Sequence, residues 1–246
     1  MARDLADVLH LFAPELAASS DAGTARAADG LPPLIGIPLA RTDGVRAALL
    51  GNVAVEAARQ AARVTLLTPD TLLGVATGDA SPFGVEWQRV EAVPTALVRA
   101  AEEALRRTRV RDPALAFAVY PASWLQKGAD VAPLLRWTLV FVRPDAESMR
   151  EASSTLEAIA AQVPGARLGA SIYGVRSLGE ARDCFEHLAL GIERRLGCAL
   201  TSYGMLVDDV HVSRSIVTGR PVGLSNPHTP SARAFADVAR LLLGDV

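Results

Sequence analysis

The chain has 246 residues, of which 50% are hydrophobic and 21% charged, and its formal net charge is −2. This composition predicts a globular α/β protein with a sizeable core and excludes a generally basic nucleic-acid binder. The apolar runs are shorter than the roughly 20 residues that span a bilayer. Two cysteines, Cys184 and Cys198, are too few for a disulfide framework. We therefore expect a cytoplasmic protein with no direct membrane insertion and no nucleic acid among its partners.

The first 33 residues predict a short helix on a flexible leader. A helix is expected within residues 1–12, beginning near Asp4, and residues 13–33 form a linker rich in Ala, Ser, Gly and Asp. The apolar face of the predicted helix consists of Leu5, Val8, Leu9 and Phe12. A helix on a polar linker is a common docking device, so these residues are candidates for docking a partner. Packing of the same helix on its own domain is the alternative.

Strands and helices are predicted to alternate from residue 34 to residue 246, which we expect to form one domain. Apolar runs predict strands over residues 34–39, 63–68, 114–120, 137–142, 167–173 and 200–206. Helical spacing predicts helices over residues 45–62, 94–107, 146–161, 178–196, 210–218 and 230–243. Residues 87–93 form either a further strand or an irregular segment. Apolar strands separated by helices predict a doubly wound, mostly parallel α/β sheet with helices on both faces.

The loop after the first predicted strand has the setting of a phosphate-binding loop. It runs Arg41-Thr-Asp-Gly-Val-Arg-Ala47 and leads into an alanine-rich helix, where backbone N–H groups commonly cradle phosphates. Only one glycine, Gly44, is present; lysine is absent, and Asp43 would repel a polyphosphate. Alternatively, Asp43 caps an ordinary helix and Arg41 and Arg46 are solvated.

Four segments of the C-terminal third carry a resemblance to a known family. They are the predicted helix Ser177–Leu196, Tyr203-Gly-Met-Leu-Val-Asp-Asp209, Val217-Thr-Gly-Arg-Pro221 and Asn226-Pro-His-Thr-Pro-Ser-Ala232. In order and spacing they resemble the MinD/FlhG/ParA (SIMIBI-class) P-loop ATPases. The resemblance covers roughly residues 34–243 and is strongest after Trp137. It implies a P-loop NTPase-like fold of the MinD/ParA type.

The same resemblance places the nucleotide loop of that family on residues 41–47. Asn52-Val53-Ala54 resembles the family's N-L-A helix motif, and Asn52 would then be a helix-packing residue. In this register Arg46 stands at the phosphate-binding lysine and Arg41 at the signature lysine. Ala47 replaces the hydroxyl that binds the metal ion. The resemblance therefore implies a loop that has lost its glycines and both lysines.

The acidic motifs of the family are also reduced in this sequence. The D-x-D motif becomes Thr68-Pro69-Asp70, which keeps only Asp70, and Val119 replaces the metal-associated aspartate. Asp208 and Asp209 match an acidic strand end of the family, and capping of the helix over residues 210–218 is an equally consistent role for them. Tyr173 stands at the adenine-side asparagine. Without the hydroxyl and two acids, no evident group would hold Mg²⁺ or position a water.

We therefore predict a pseudo-ATPase that is a scaffold or regulatory subunit, with no catalytic residue, metal or cofactor. The expected partners are proteins, as a homodimer or with a related ATPase or GTPase, in the assembly or positioning of a cell-surface machine. Asp4, Ala6 and Leu9 weakly resemble the FlhG helix that docks onto a GTPase. One alternative is a divergent, active ATPase using ATP and Mg²⁺ in flagellum, pilus, cellulose-export or partitioning systems. Another is a binder of a small anion.

Overall fold

The computed structural model describes residues 34–40, 42–60, 62–69, 83–107 and 114–246, without the side chains of residues 127–129. Several predictions fall outside these residues. They are the helix within residues 1–12, the linker over residues 13–33, Arg41 and Asp70.

Seven parallel strands form a single sheet in the described part of the chain. The strands are β1 (Leu34–Leu39), β2 (Arg63–Pro69), β3 (Val85–Val90), β4 (Ala114–Pro121), β5 (Trp137–Val142), β6 (Arg167–Val175) and β7 (Leu200–Val207). Their order is β3-β2-β4-β1-β5-β6-β7, and every pair of neighbours is parallel. This confirms the predicted doubly wound α/β fold. Residues 87–93, which the sequence predicted as a strand or an irregular segment, lie partly in β3 at the edge of the sheet.

Eight α-helices and one 3₁₀ segment accompany the described strands, and the last three helices follow β7. The helices are α1 (Gly44–Arg59), α2 (Pro94–Arg106), α3 (Ala132–Leu135), α4 (Ala146–Gln162), α5 (Leu178–Leu196), α6 (Val210–Thr218), α7 (Val222–Ser225) and α8 (Pro230–Gly244). The 3₁₀ segment is Ala122–Val131. One face of the sheet packs against α1, α6, α7 and α8, and the other against α2, the 3₁₀ segment, α3, α4 and α5. A core therefore lies on each face of the sheet.

The direction of the connections reverses between β1 and β5. From β1 the chain passes through α1 towards β2, whereas from β5 it passes through α4 towards β6 on the other side. Because crossovers of one hand that run in opposite directions cover opposite faces, α1 and α4 begin on either side of a crevice. Crevices of this kind at the carboxyl ends of parallel strands are where doubly wound proteins bind ligands.

Candidate functional site

The start of helix α1 is capped by a carboxylate of the chain itself. Asp43 is the N-cap residue, and its Oδ1 accepts a hydrogen bond from the backbone N–H of Arg46 at 2.9 Å. A helix N-terminus attracts anions, and here the Asp43 carboxylate supplies one. Gly44 opens the helix, and a β-carbon at this position would meet nothing within 4 Å. The single glycine of the loop is therefore not required by close packing.

Arg46 is held by two carboxylates and a hydroxyl. Its Nη1 lies 3.2 Å from Asp43 Oδ2, and its Nη2 lies 2.8 Å from Glu151 Oε2. Nη2 also donates to Ser148 Oγ at 3.1 Å, and that oxygen accepts from the Arg143 backbone N–H at 2.9 Å. Only 12% of the Arg46 side chain is exposed. The two negative charges that face the Arg46 guanidinium are therefore those of Asp43 and Glu151, both in this chain.

The electrostatics of Arg46 follow from these contacts. Burial acts to lower its pKa, but the hydrogen bond to Glu151 and the negative charge of Asp43 outweigh burial. The pKa of Arg46 is consequently raised above its ordinary value, so this side chain stays charged at every physiological pH.

The ion pair between Arg46 and Glu151 bridges the crevice. Arg46 belongs to α1, which follows β1, and Glu151 belongs to α4, which follows the neighbouring strand β5. The two helices pack on opposite faces of the sheet. Their contact therefore crosses the carboxyl edge at the point where the fold places ligands. Ser148 and Glu151 were not anticipated from the sequence, because nothing local connects them with a residue more than a hundred positions earlier.

The residues that the sequence resemblance would place at metal-binding positions are apolar or otherwise engaged. Ala47 packs against the core, and Val119 is 2% exposed within it. Thr68 is buried, and its Oγ1 accepts from Trp87 Nε1 at 3.1 Å. No group of three or more His, Cys, Asp or Glu side chains among the described residues is arranged to hold a metal ion. These residues do not fit Mg²⁺-bound ATP, whose binding needs oxygen ligands for the metal and free donors for the phosphates.

Asn52 joins three helices on one face of the sheet. Its Nδ2 donates to the Ala48 carbonyl at 2.8 Å and to Ser215 Oγ at 3.4 Å. Its Oδ1 accepts from the Val222 backbone N–H at 2.7 Å. The side chain is buried, and its hydrogen bonds tie α1 to α6 and α7. All of these contacts are structural.

The two aspartates after β7 have different surroundings. Asp208 is exposed, and its backbone N–H donates to the Val175 carbonyl. Asp209 is the N-cap of α6; it accepts from the His211 backbone N–H at 2.9 Å and from Ser231 Oγ at 2.7 Å. Burial acts to raise the pKa of Asp209, but these hydrogen bonds outweigh it, and the pKa is lowered. The capping role at this strand end thus belongs to Asp209.

Comparison with known proteins identifies the fold. MinD from Aquifex aeolicus superposes with a TM-score of 0.63 at 14% identity, covering 86% of this chain and 96% of that one. A chain of the MinC:MinD cell division protein complex from the same organism gives a TM-score of 0.60 at 15% identity, with 86% of this chain and 95% of that one covered. A ParA family ATPase from Chlorobium tepidum gives 0.61 at 12% identity, with 87% and 100% covered.

The class defined by these likenesses is the P-loop ATPase fold of α/β proteins. Within it, the chain has the MinD/ParA type of fold, which confirms the fold that the sequence motifs predicted. No protein-family model matches the chain, and no curated protein matches its sequence significantly. Among the described residues, no helix combines the length and apolar character needed to cross a membrane.

Proposed function

We propose that this protein is a catalytically degenerate MinD/ParA-type protein that acts as a scaffold or regulatory subunit through protein contacts. The observation that carries the proposal is the closure of the ligand crevice by Arg46, Asp43 and Glu151. The fold retains the architecture of a nucleotide-binding protein. The chain's own carboxylates pair with both terminal nitrogens of Arg46, and one of them caps the N-terminus of α1, where a triphosphate would bind.

Nucleotide binding would have to disrupt this arrangement at a cost. A triphosphate beside Arg46 would face the carboxylates of Asp43 and Glu151, which are like charges at short range. Arginine also differs from lysine at this position, because its planar fork pairs with carboxylates rather than acting as a compact charge on a phosphate. Phosphoryl transfer depends on positioning and charge stabilisation, and Ala47 and Val119 supply neither.

Protein partners are favoured by the fold and by the leader. The solved MinC:MinD complex is one in which a protein of this fold binds another protein. We propose a homodimer, or a heterodimer with a related ATPase or GTPase, in the assembly or positioning of a cell-surface machine. Leu5, Val8, Leu9 and Phe12 are the candidate docking residues of the leader.

An ATP turnover assay tests the proposal. Purified protein with ATP and Mg²⁺ is expected to release phosphate no faster than a sample without protein, because the groups that position the metal are missing. The Arg46→Ala variant is expected to give the same background rate, and a ParA family ATPase serves as the positive control. Turnover by the unsubstituted chain that Arg46→Ala abolishes would instead establish a divergent, active ATPase.

A further inference from the structure

Helices α6 and α7 present apolar side chains to water. Val210 and Val217, seven residues apart on α6, are 67% and 86% exposed, and Leu224 on α7 is 42% exposed. Residues seven apart share a helix face, so the two valines lie on the same face of α6, two turns apart. Arg214 lies between them on that face. We call Val210, Arg214, Val217 and Leu224 the α6–α7 surface.

A cationic groove of about 300 Å³ adjoins this surface between the two helices. His211, Arg214 and Arg220 line it, together with hydroxyl and amide side chains, and no Asp or Glu lines it. Neither Arg214 nor Arg220 forms an ion pair within the described ranges, unlike Arg46. The His211 Nδ1 is shielded from water without a hydrogen-bond partner there. The groove thus offers positive charge and unused donors.

Unpaired arginines beside exposed valines favour a protein segment as the occupant. A small anion would satisfy the arginines but leave Val210, Val217 and Leu224 in water. A segment with apolar and acidic side chains would cover both, as protein interfaces combine an apolar centre with complementary charge.

We infer that the chain's own Asp4–Phe12 segment docks on the α6–α7 surface. Leu5, Val8, Leu9 and Phe12 would meet the exposed valines and Leu224. Asp4, one helical turn before Val8 and at the edge of the same face, complements Arg214 and Arg220. The segment thus combines apolar residues with the negative charge that is absent from the groove.

The connecting leader is long enough for this contact. Residues 13–33 lie between the segment and β1, and a flexible chain of this length spans about 25 Å on average and about 70 Å fully extended. A folded domain of this size has a radius of gyration of about 17 Å, so the leader reaches any point on it. The tether raises the effective concentration of the segment to about the millimolar range, so that even weak contacts are populated.

The contact would regulate access of a partner to the Asp4–Phe12 segment. A partner that binds Leu5, Val8, Leu9 and Phe12 has to release them from the α6–α7 surface first, which lowers its apparent affinity. This inference goes beyond the proposed function and holds whether or not the protein hydrolyses ATP.

Hydrogen–deuterium exchange of the full chain tests the contact. In the Leu9→Asp/Phe12→Asp variant, the amides of α6 are expected to exchange about tenfold faster than in the unsubstituted chain, because the covering segment is released. The matched control Ala17→Asp/Ala18→Asp adds the same charge to the leader and is expected to leave exchange unchanged. Equal α6 exchange in all three proteins would overturn the inference.

Binding of a synthetic peptide of residues 1–16 provides the second measurement. The peptide is expected to bind the Leu9→Asp/Phe12→Asp chain about tenfold more tightly than the unsubstituted chain, whose own segment competes. Adding Val217→Asp is expected to weaken this binding about tenfold. The control is Leu190→Asp, at a 50% exposed leucine on α5, which is expected to leave the binding unchanged. Peptide binding that is unchanged by Val217→Asp would contradict intramolecular docking. Protection of the α6 amides that rises with protein concentration would also contradict it, because it would indicate a contact between two copies.

Discussion

Replacement of Arg46 by methionine is expected to lower the free energy of unfolding by about 2 kcal/mol. Methionine fills much of the same space but leaves the carboxylates of Asp43 and Glu151 facing each other without their shared cation. The loss lies below that of a fully buried pair because Glu151 is 46% exposed and remains solvated. Urea denaturation measures it, and a thermal scan should show a drop in Tm of about 4–8 °C.

Two further variants identify the cause of the Arg46 effect. Adding Glu151→Gln to Arg46→Met is expected to restore about 1 kcal/mol, because one uncompensated carboxylate is removed. Arg240→Met breaks an ion pair with Asp237 in which Arg240 is 58% exposed, and it is expected to cost less than about 0.5 kcal/mol. If Arg46→Met were no more harmful than Arg240→Met, the bridge across the crevice would not stabilise the fold.

Replacement of Tyr203 by alanine is expected to cost about 4 kcal/mol of unfolding free energy. Tyr203 is 1% exposed, and its ring lies so close to Gly169 that a β-carbon there would collide with it. Its hydroxyl donates to Asp245 Oδ2 at 2.6 Å and accepts from Trp137 Nε1 at 3.1 Å. The substitution therefore opens a cavity and removes two hydrogen bonds, and denaturant titration measures the sum.

Tyr203→Phe separates the hydroxyl from the ring. This variant keeps the packing but removes the donor to Asp245 and the acceptor for Trp137, so a loss of about 2 kcal/mol is expected. The control is Tyr173→Phe, at a half-buried tyrosine near the carboxyl end of the neighbouring strand β6, with an expected change under about 0.5 kcal/mol. A Tyr203→Phe chain as stable as the unsubstituted one would show that the hydroxyl network contributes nothing.

The strands were predictable because most of them are buried on both sides. Residues 137–142 are apolar throughout apart from one threonine, and strand β5 has those bounds. The 3₁₀ segment Ala122–Val131 and the four-residue helices α3 and α7 were not predicted. The two helices are too short to show a hydrophobic period, and the 3₁₀ segment does not have the α-helical period that was searched for.

The candidate site was only partly predictable because most of its contacts join residues that are far apart in the sequence. Capping by Asp43 is a local property, so the sequence already indicated it as one of two possible roles of this residue. The partners of Arg46 on α4 depend on which strands are neighbours, so a sequence without topology does not indicate them. The contact of Tyr203 with Asp245 depends likewise on how α8 packs beneath β7.

A calorimetric titration of the full chain with Mg²⁺-bound ATP tests most directly whether the crevice is closed by the protein's own charges. No saturable heat is expected with ATP or ADP. In the unsubstituted chain Asp43 and Glu151 already neutralise the arginine, and Arg46→Ala has no cation at this position. A micromolar Kd that requires Mg²⁺ and is lost in Arg46→Ala would contradict this closure.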